Sequence, residues 1–182
     1  MKFPVIQTER LILRGFRMSD VPVLTALAGE FEIADTTLSI PHPYHDKDAE
    51  KWVSQQRKWY KTGRAISFAI ILKEKKVLIG AISMMDISTE HKRAELGYWI
   101  GKPFWNNGYA TEASLELIKF GFKELRLNKI HAHHFSRNPA SGKILLKIGM
   151  SHEGMLKQHI LKWGNFEDIE MYGILKSEYL KK

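Results

Sequence analysis

The chain has 182 residues, a formal net charge of +8 and no cysteine. This length suits one domain with a buried core, expected to span residues 1–182, and the lack of cysteine excludes disulfides, cysteine-ligated zinc and a cysteine acyl-enzyme. Because no apolar run reaches the ~18 residues that cross a bilayer and the start is too short for a signal-peptide core, we expect a cytoplasmic protein without membrane contact.

The first predicted element is a strand at Arg10–Phe16, where the side chains alternate. A helix follows, with Ser19 or Asp20 as its cap and Gly29 at its end. After a stretch of turn formers, the segment "DAEKWVSQQRKWYKTG" predicts a second helix. The side chains that share one face of this helix are Trp52, Gln56, Trp59 and Tyr60. Aromatic residues at this spacing are more typical of a core face than of a surface that stacks on nucleobases.

The middle of the chain predicts more strands and a long helix. Ala65–Leu72 and Lys76–Ser88 are apolar runs joined by a charged turn, which indicates a β-hairpin. Arg93–Gly101 predicts the next strand, and the helix after Gly108 has an apolar stripe with helical spacing. A further strand is predicted in "KIHAHHF".

The last part of the chain predicts a short helix and a second hairpin. The helix lies in "NPASGKILLKIGM", with Asn138 as its cap and Pro139 at its first position. The hairpin is formed by "MLKQHIL" and "FEDIEMYGIL" around the turn "KWGN". Strands clustered as hairpins with interspersed helices predict the α+β class, with a mixed, mostly antiparallel twisted sheet of about six to seven strands and about four helices.

The segment "FWNNGYATEA" places Asn106, Asn107 and Gly108 directly before a helix. Asparagine and glycine tolerate a left-handed backbone, and the first turn of a helix leaves N–H groups without partners. Such a loop either binds an anion such as phosphate or merely turns the chain. The Lys-Ser/Thr pair of nucleoside-triphosphatase loops and the three-glycine dinucleotide fingerprint are both missing, which excludes these two classes.

Four segments in their order resemble the GCN5-related N-acetyltransferases (GNAT), and most of all the bacterial branch that acetylates alanine or serine N-termini of ribosomal proteins. The segments are "TERLILRGFRMSDV", "AELGYWIGKPFWNNGYATEA", "NPASGKILLKIGM" and "EDIEMYGILKSEY". The resemblance implies the GNAT fold and direct transfer of acetyl from acetyl-CoA to a primary amine, without a metal or a covalent enzyme intermediate. The leading acceptor that it implies is the N-terminus of a ribosomal protein.

For acetyl-CoA, the resemblance implies a site at the Asn-Asn-Gly loop. The diphosphate would lie on the loop amides, while the pantetheine arm would pair with the backbone at Ile100 and contact Asn138. The loop residues concerned are Asn107, Gly108, Tyr109, Ala110 and Thr111. The family pattern has Gln or Arg three residues before the glycine, where this chain has Trp105, a departure that the ribosomal branch shares.

Two residues are candidates for the chemistry. Glu95 matches a position where acetyltransferases often carry an acidic group, and it is the candidate base through water, unless it only pairs with Arg93 or a lysine. Ser141 matches a serine of the ribosomal branch that holds a water or protonates the sulfur, unless it is only a local hydrogen bonder. The tyrosine that many relatives use as general acid is replaced by Leu145. Tyr172 also matches the family pattern and is expected mainly to pack.

The acceptor is less defined than the donor. The loop "PHPYHDKD" borders the acceptor cleft by resemblance, with His42 and Tyr44 as candidate contacts, or it is an ordinary connector. Rival acceptors are small amines: a polyamine, an aminoglycoside or an amino acid. An alternative from a different class is a non-catalytic module that binds RNA or the ribosome, or one that senses acyl-CoA. The basic net charge is equally typical of an ordinary solvated surface, and nucleic acid is the less favoured partner. The oligomeric state stays open, with a homodimer as one option.

The segment "HAHHF" contains His131, His133 and His134. On a strand, His131 and His133 share one face and His134 points to the other. No carboxylate stands near them at metal-ligand spacing in the sequence, so hydrogen-bonded histidines are predicted here in preference to a metal site.

Overall fold

The computed structural model describes residues 3–181, so Met1, Lys2 and Lys182, which belong to the predicted 1–182 domain, lie outside the described residues. The strands are β1 (Ile6–Gln7), β2 (Leu11–Arg14), β3 (Ile66–Leu72), β4 (Val77–Ser88), β5 (Arg93–Ile100), β6 (Lys129–Phe135), β7 (Ser151–Lys162) and β8 (Asn165–Leu175). The helices are α1 (Val21–Ala28), α2 (Phe31–Thr36), α3 (Asp46–Lys61), α4 (Tyr109–Lys123), α5 (Pro139–Lys147) and α6 (Lys176–Tyr179). The strands form one sheet in the order β1-β2-β3-β4-β5-β6-β8-β7. Within residues 3–181, no helix combines the length and the apolar character that a membrane span requires.

The predicted α+β class is confirmed, and the sheet is mixed. Neighbouring strands pair antiparallel, apart from β5 and β6, which run parallel. The predicted numbers of strands and helices were too low. The elements that the sequence did not indicate are the two-residue β1, the six-residue α2 and the four-residue α6. Elements this short contain too few residues for a periodic pattern to be recognised.

The longer predicted elements agree with the structure to within a few residues. The strand β6 occupies the whole of "KIHAHHF", and both predicted hairpins, β3–β4 and β7–β8, are antiparallel pairs. Asn138 caps α5 and Pro139 is its first residue, as predicted. The first predicted strand is shorter than Arg10–Phe16, because only Leu11–Arg14 pairs with β3.

Helices cover both faces of the sheet. On one face, α4 packs Ala113 and Leu117 into the core that contains Leu96 of β5. On the other face, α1 and α3 form a smaller cluster with Leu24 and Val53, against which Trp99 of β5 packs. Because both faces are covered, the apolar strand β3 is buried at every residue.

The strands β5 and β6 pair only over their first residues. Their last paired residues are Glu95 and His131. Beyond this point β5 continues beside β4 to Ile100, and β6 continues beside β8 to Phe135. The two strands therefore part and leave a wedge-shaped gap, which we call the fork. The loop that leads to α4 and the start of α5 both lie at the open end of the fork, because they follow the ends of these two strands.

Candidate active site

The segment between β5 and α4 is a tight loop that ends in a left-handed glycine. A short 3-10 helix covers Lys102–Phe104. Asn106 has φ = 61° and Gly108 has φ = 78°, both in the left-handed region that asparagine and glycine tolerate. Asn107 donates from Nδ2 to the carbonyl oxygen of Trp105 at 2.8 Å. This bond holds the loop in its closed shape.

The first amides of α4 have no helical acceptor. The first backbone bond of the helix runs from the N–H of Glu112 to the carbonyl oxygen of Gly108 at 3.0 Å, and Gly108, the N-cap residue, has no side chain that could cap the preceding N–H groups. The residues whose N–H groups precede this bond are Tyr109, Ala110 and Thr111. Over the 15 residues of α4, the aligned peptide dipoles add partial positive charge at this end. The loop therefore has the geometry of an anion site.

Arg10 adds a cationic side chain beside the loop. Its Nη1 donates to the carbonyl oxygen of Asn107 at 2.9 Å, and its guanidinium lies 4.7 Å from the centroid of the Tyr109 ring. Its Nε pairs with Glu112 at 2.7 Å. Burial by itself raises the pKa of Glu112, but hydrogen bonds from Thr8 and Arg10 lower it overall. This first-turn carboxylate is therefore ionised but neutralised by Arg10.

Trp105, the departure from the family pattern, ties the loop to β5. Its indole Nε1 donates to the carbonyl oxygen of Ile100 at 2.5 Å, so Ile100 has its N–H but not its carbonyl left for a ligand. The N–H of Gly101 bonds to Ile79 of β4 at 2.8 Å. Because antiparallel pairs alternate in direction, the backbone groups of Ile100 and Tyr98 face away from β4 and toward the fork.

A side-chain hydrogen bond connects β5 with α5. The phenol oxygen of Tyr98 lies 3.0 Å from Oγ of Ser141 in the first turn of α5. Burial raises the pKa of Tyr98 to about 12, although the bond to Ser141 acts in the opposite direction. The phenol therefore keeps its proton at neutral pH and is able to donate a hydrogen bond.

Asn138 acts as the cap of α5. Its Oδ1 accepts a hydrogen bond from the N–H of Ser141 at 3.4 Å. The cap fixes the side chain of Asn138 next to Ser141, and its Nδ2 remains as a donor beside the fork.

On the opposite face of β5, Glu95 meets two histidines. Its Oε1 lies 3.2 Å from Nδ1 of His133, and its Oε2 lies 3.9 Å from Nε2 of His131. These partners take the place of the arginine or lysine that the sequence suggested as an alternative. Burial raises the pKa of Glu95, but the hydrogen bond to His133 and the charges of both histidines lower it overall, so the carboxylate is ionised at neutral pH. Burial lowers the pKa of His131.

The third histidine, His134, points to the other face of the sheet, as predicted. It is 7% exposed, its Nδ1 lies 2.8 Å from the carbonyl oxygen of Phe135, and its Nε2 has no partner within residues 3–181. Its ring lies 5.4 Å from that of Tyr172, which packs in the core as expected. Among the described residues, no group of three or more His, Cys, Asp or Glu side chains is arranged to hold a metal ion.

The two candidate acceptor contacts lie in different environments. Tyr44 is half-buried and packs against the cluster of α1 and α3 that also receives Trp99. Burial, together with the charge of Asp48, raises the pKa of Tyr44 to about 12. His42 is exposed, and its ring lies 6.4 Å from that of Trp163 in the turn of hairpin β7–β8. The structure therefore places Tyr44 in the packed surface formed by α1 and α3, and His42 at the exposed edge of this surface.

Sequence reasoning missed three side chains of this site: Arg10, Tyr98 and His133. The partners Tyr98 and Ser141 are 43 residues apart, so no local pattern connects them. Strand periodicity places His133 on one face of β6, but only the pairing of β5 with β6 brings this face to Glu95. The sequence places Arg10 at the start of the first strand, but this position does not indicate that its side chain contacts the loop at Asn107.

Comparison with known proteins gives consistent matches. A family model described as "Acetyltransferase (GNAT) domain" matches residues 10–151. The uncharacterized N-acetyltransferase YoaA of Bacillus subtilis is 32% identical over 174 residues, which cover 96% of this chain and 98% of that protein. The uncharacterized N-acetyltransferase p20 of Bacillus licheniformis is 34% identical over 175 residues, with 96% and 97% covered. The crystal structure of a GNAT-family acetyltransferase from Bacillus anthracis matches with a TM-score of 0.85 at 27% identity, over 96% of this chain and 99% of that one.

Two relatives carry names that state their acceptors. The ribosomal-protein-serine acetyltransferase of Escherichia coli is 28% identical over 127 residues, which are 70% of each chain. The spermidine N(1)-acetyltransferase of Vibrio cholerae is 28% identical over 107 residues, which are 59% of this chain and 62% of that protein. The similarity therefore extends to enzymes named for two different kinds of amine.

Proposed function

Because this chain belongs to the GNAT acetyltransferase family, we propose that it is a cytoplasmic enzyme that transfers acetyl from acetyl-CoA to the amine of a protein N-terminus. The amine attacks the thioester carbonyl directly and CoA leaves as a thiol. The observation that carries this proposal is the uncapped start of α4 behind the left-handed Gly108, at the open end of the fork.

The loop and the fork suit the two parts of CoA. The diphosphate is a compact anion, and the free N–H groups and dipole of α4 supply donors and partial positive charge for it, while the guanidinium of Arg10 offsets the charge of Glu112 beside them. The pantetheine arm is extended and contains amides. It can pair with the backbone groups of Tyr98 and Ile100 that face the fork, in the manner of an added strand.

The chemistry needs a proton acceptor for the amine and a proton donor for the sulfur. Glu95 and its histidines lie on one face of β5, and Tyr98 with Ser141 on the other, so separate groups are available for the two transfers. Leu145, at the position of the family tyrosine, is 1% exposed in the core. The pair of Tyr98 and Ser141 therefore takes the role of proton donor. Backbone N–H groups of β5 can stabilise the developing oxyanion.

Charge favours a protein N-terminus over a polyamine as the acceptor. A polyamine site needs carboxylates that are free to pair with its ammonium groups. Three acidic side chains of α2 and of the adjoining β8 already have cationic partners in the chain. The pairs are Glu32 with Lys102, and Asp35 and Glu167 with Arg137. These three carboxylates therefore offer little attraction to a polycation.

Calorimetric titration with acetyl-CoA, followed by a transfer panel, tests the proposal. The panel contains peptides that begin with Ser, Ala or Met beside spermidine, and release of free thiol reports turnover. We expect saturable binding of acetyl-CoA and transfer to the Ser or Ala peptide. Transfer to spermidine alone would identify a small-amine enzyme, and binding without turnover an acyl-CoA sensor. Salt-dependent RNA binding without affinity for acetyl-CoA would identify a non-catalytic module.

A further inference from the structure

The fork brings a carboxylate and an imidazole together where β5 and β6 part. Glu95 is the last residue of β5 that pairs with β6, and its partner there is His131. His133 lies two residues further along β6, where this strand borders the fork. Oε1 of Glu95 and Nδ1 of His133 are 3.2 Å apart, and their side chains are 19% and 20% exposed. The pair is therefore sheltered from bulk water but open to a substrate in the fork.

This contact orients the imidazole of His133. At this distance the carboxylate of Glu95 can accept the proton of Nδ1–H, and the lone pair of a neutral ring then lies on Nε2. A carboxylate that holds a histidine in this tautomer makes it a proton acceptor, as in the triad of serine hydrolases. Glu95 is less suited to that role, because its contacts with His133 and His131 outweigh burial and hold its pKa below the usual value.

We propose that His133 is the catalytic residue that takes the proton of the acceptor amine, and that Glu95 is a positioning residue for it. This inference rests on the proposed function. The amine nitrogen forms a bond with the thioester carbonyl carbon, and its proton passes to Nε2 of His133. The C–S bond then breaks, and the thiolate takes a proton from Tyr98 through Ser141. Solvent afterwards accepts the proton of His133 and returns one to Tyr98.

The distances to Glu95 favour His133 over His131. The charged groups that face the pair from the adjoining strands are Arg93, His131, Lys129 and Glu153. Lys129 and Glu153 are ion-paired with each other at 2.7 Å, and β8 presents the uncharged Met171 directly opposite His133. His131 is the weaker partner of Glu95, at 3.9 Å. His133 is therefore the histidine that Glu95 holds most closely.

The pH dependence of kcat tests the assignment, with the best acceptor of the panel above. The variants are His133→Gln, His131→Gln and Glu95→Gln, with His159→Gln on the exposed side of β7 as the matched control. We expect His133→Gln to lower kcat about 100-fold and to remove the acid limb of the profile. Glu95→Gln should keep this limb but lower kcat less than His133→Gln does, because the imidazole remains and loses only the carboxylate that orients it. The acetyl-CoA affinity of all variants should match that of the wild type, which shows that the donor site is intact.

Imidazole added to the buffer provides a second readout. It should restore part of the kcat of His133→Ala, because the side chain reaches solvent, but not that of Glu95→Ala. The assignment is overturned if His133→Gln keeps the wild-type acid limb, or if His131→Gln removes the limb in its place. A wild-type chain that transfers acetyl to nothing on the panel overturns the proposed function as well, whereas an unchanged profile in an active enzyme overturns only the role of His133.

Discussion

The phenol oxygen of Tyr98 and the hydroxyl oxygen of Ser141 lie 3.0 Å apart, although 43 residues separate them in the chain. Tyr98 lies on β5 and Ser141 in the first turn of α5, so their bond joins β5 to the helix that follows β6. In the proposed mechanism, this pair takes the place of the acid group that Leu145 does not provide.

We expect Tyr98→Phe and Ser141→Ala each to lower kcat about tenfold. The double variant should be no slower than the slower single variant, because both residues act through one hydrogen bond and their effects are not additive. Since burial raises the pKa of Tyr98 to about 12, its ionisation should cause no loss of activity at mildly alkaline pH. Thiol release measures kcat, and Tyr172→Phe is the control for a buried tyrosine that only packs. Losses that simply add would show that the two residues act independently.

Gly108→Ala should weaken acetyl-CoA binding about tenfold, because an L side chain at its left-handed backbone costs about 1 kcal/mol and displaces the loop amides. The matched control is Gly63→Ala. Gly63 has φ = +69° against +78° for Gly108, and an added Cβ meets nothing within 4 Å. Chemical denaturation should show a similar loss of stability in both variants, while calorimetry should show weaker acetyl-CoA binding in Gly108→Ala alone. Equal affinities in the two variants would mean that the diphosphate does not use this loop.

Arg10→Ala should also weaken acetyl-CoA binding about tenfold, because a charge-assisted donor is lost and the carboxylate of Glu112 is left beside the anion. Replacing Glu112 by Gln in the same variant should recover part of the affinity, since it removes that negative charge. Lys119→Ala is the control. Lys119 lies on α4, as Glu112 does, and its ion pair is with the nearby Glu116. Titrations at two salt concentrations measure the effect, and an Arg10→Ala variant with wild-type affinity at low salt would remove Arg10 from the anion site.

A buried ion pair at the start of α1 makes the free energy of unfolding depend on pH. The carboxylate of Asp20 is 2.7 and 2.8 Å from the two terminal nitrogens of Arg14, and Asp20 is 6% exposed. Burial raises the pKa of Asp20, but hydrogen bonds from Arg14 and from the N–H of Arg17 lower it overall. A carboxyl with a lowered pKa in the folded state contributes stability above its unfolded pKa, and this contribution is lost as the pH falls through the folded value.

Asp20→Asn should therefore lower the free energy of unfolding by about 3 kcal/mol at neutral pH, because it leaves the charge of Arg14 without its partner. Denaturant titrations at neutral and acidic pH should show that the difference from the wild type shrinks as Asp20 becomes protonated. Glu116→Gln, which breaks only the exposed pair with Lys119, should change stability by at most about 0.5 kcal/mol at either pH. A difference for Asp20→Asn that stays constant with pH would show that the loss comes from packing and not from charge.

The parts of the fold that depend on near neighbours could be predicted from the sequence. The left-handed Gly108, the cap at Asn138 and the ends of β6 all follow from preferences within a few residues. The elements α2 and β1 could not be predicted in this way, because they are too short for their residues to show a periodic pattern. The resemblance to a family added the donor loop and the candidates Glu95 and Ser141.

By itself, the sequence determined the class of fold and the glycine-bearing loop before a helix start, because backbone preferences and helix geometry act over a few residues. Only the tertiary structure decided that Glu95 meets His133 and that Tyr98 meets Ser141. These contacts depend on the register of β5 with β6 and on where α5 packs against the sheet. A shift of one residue in the register would turn each strand side chain to the opposite face. Such a register results from the packing of the whole sheet, so the members of each pair become neighbours only when the chain folds.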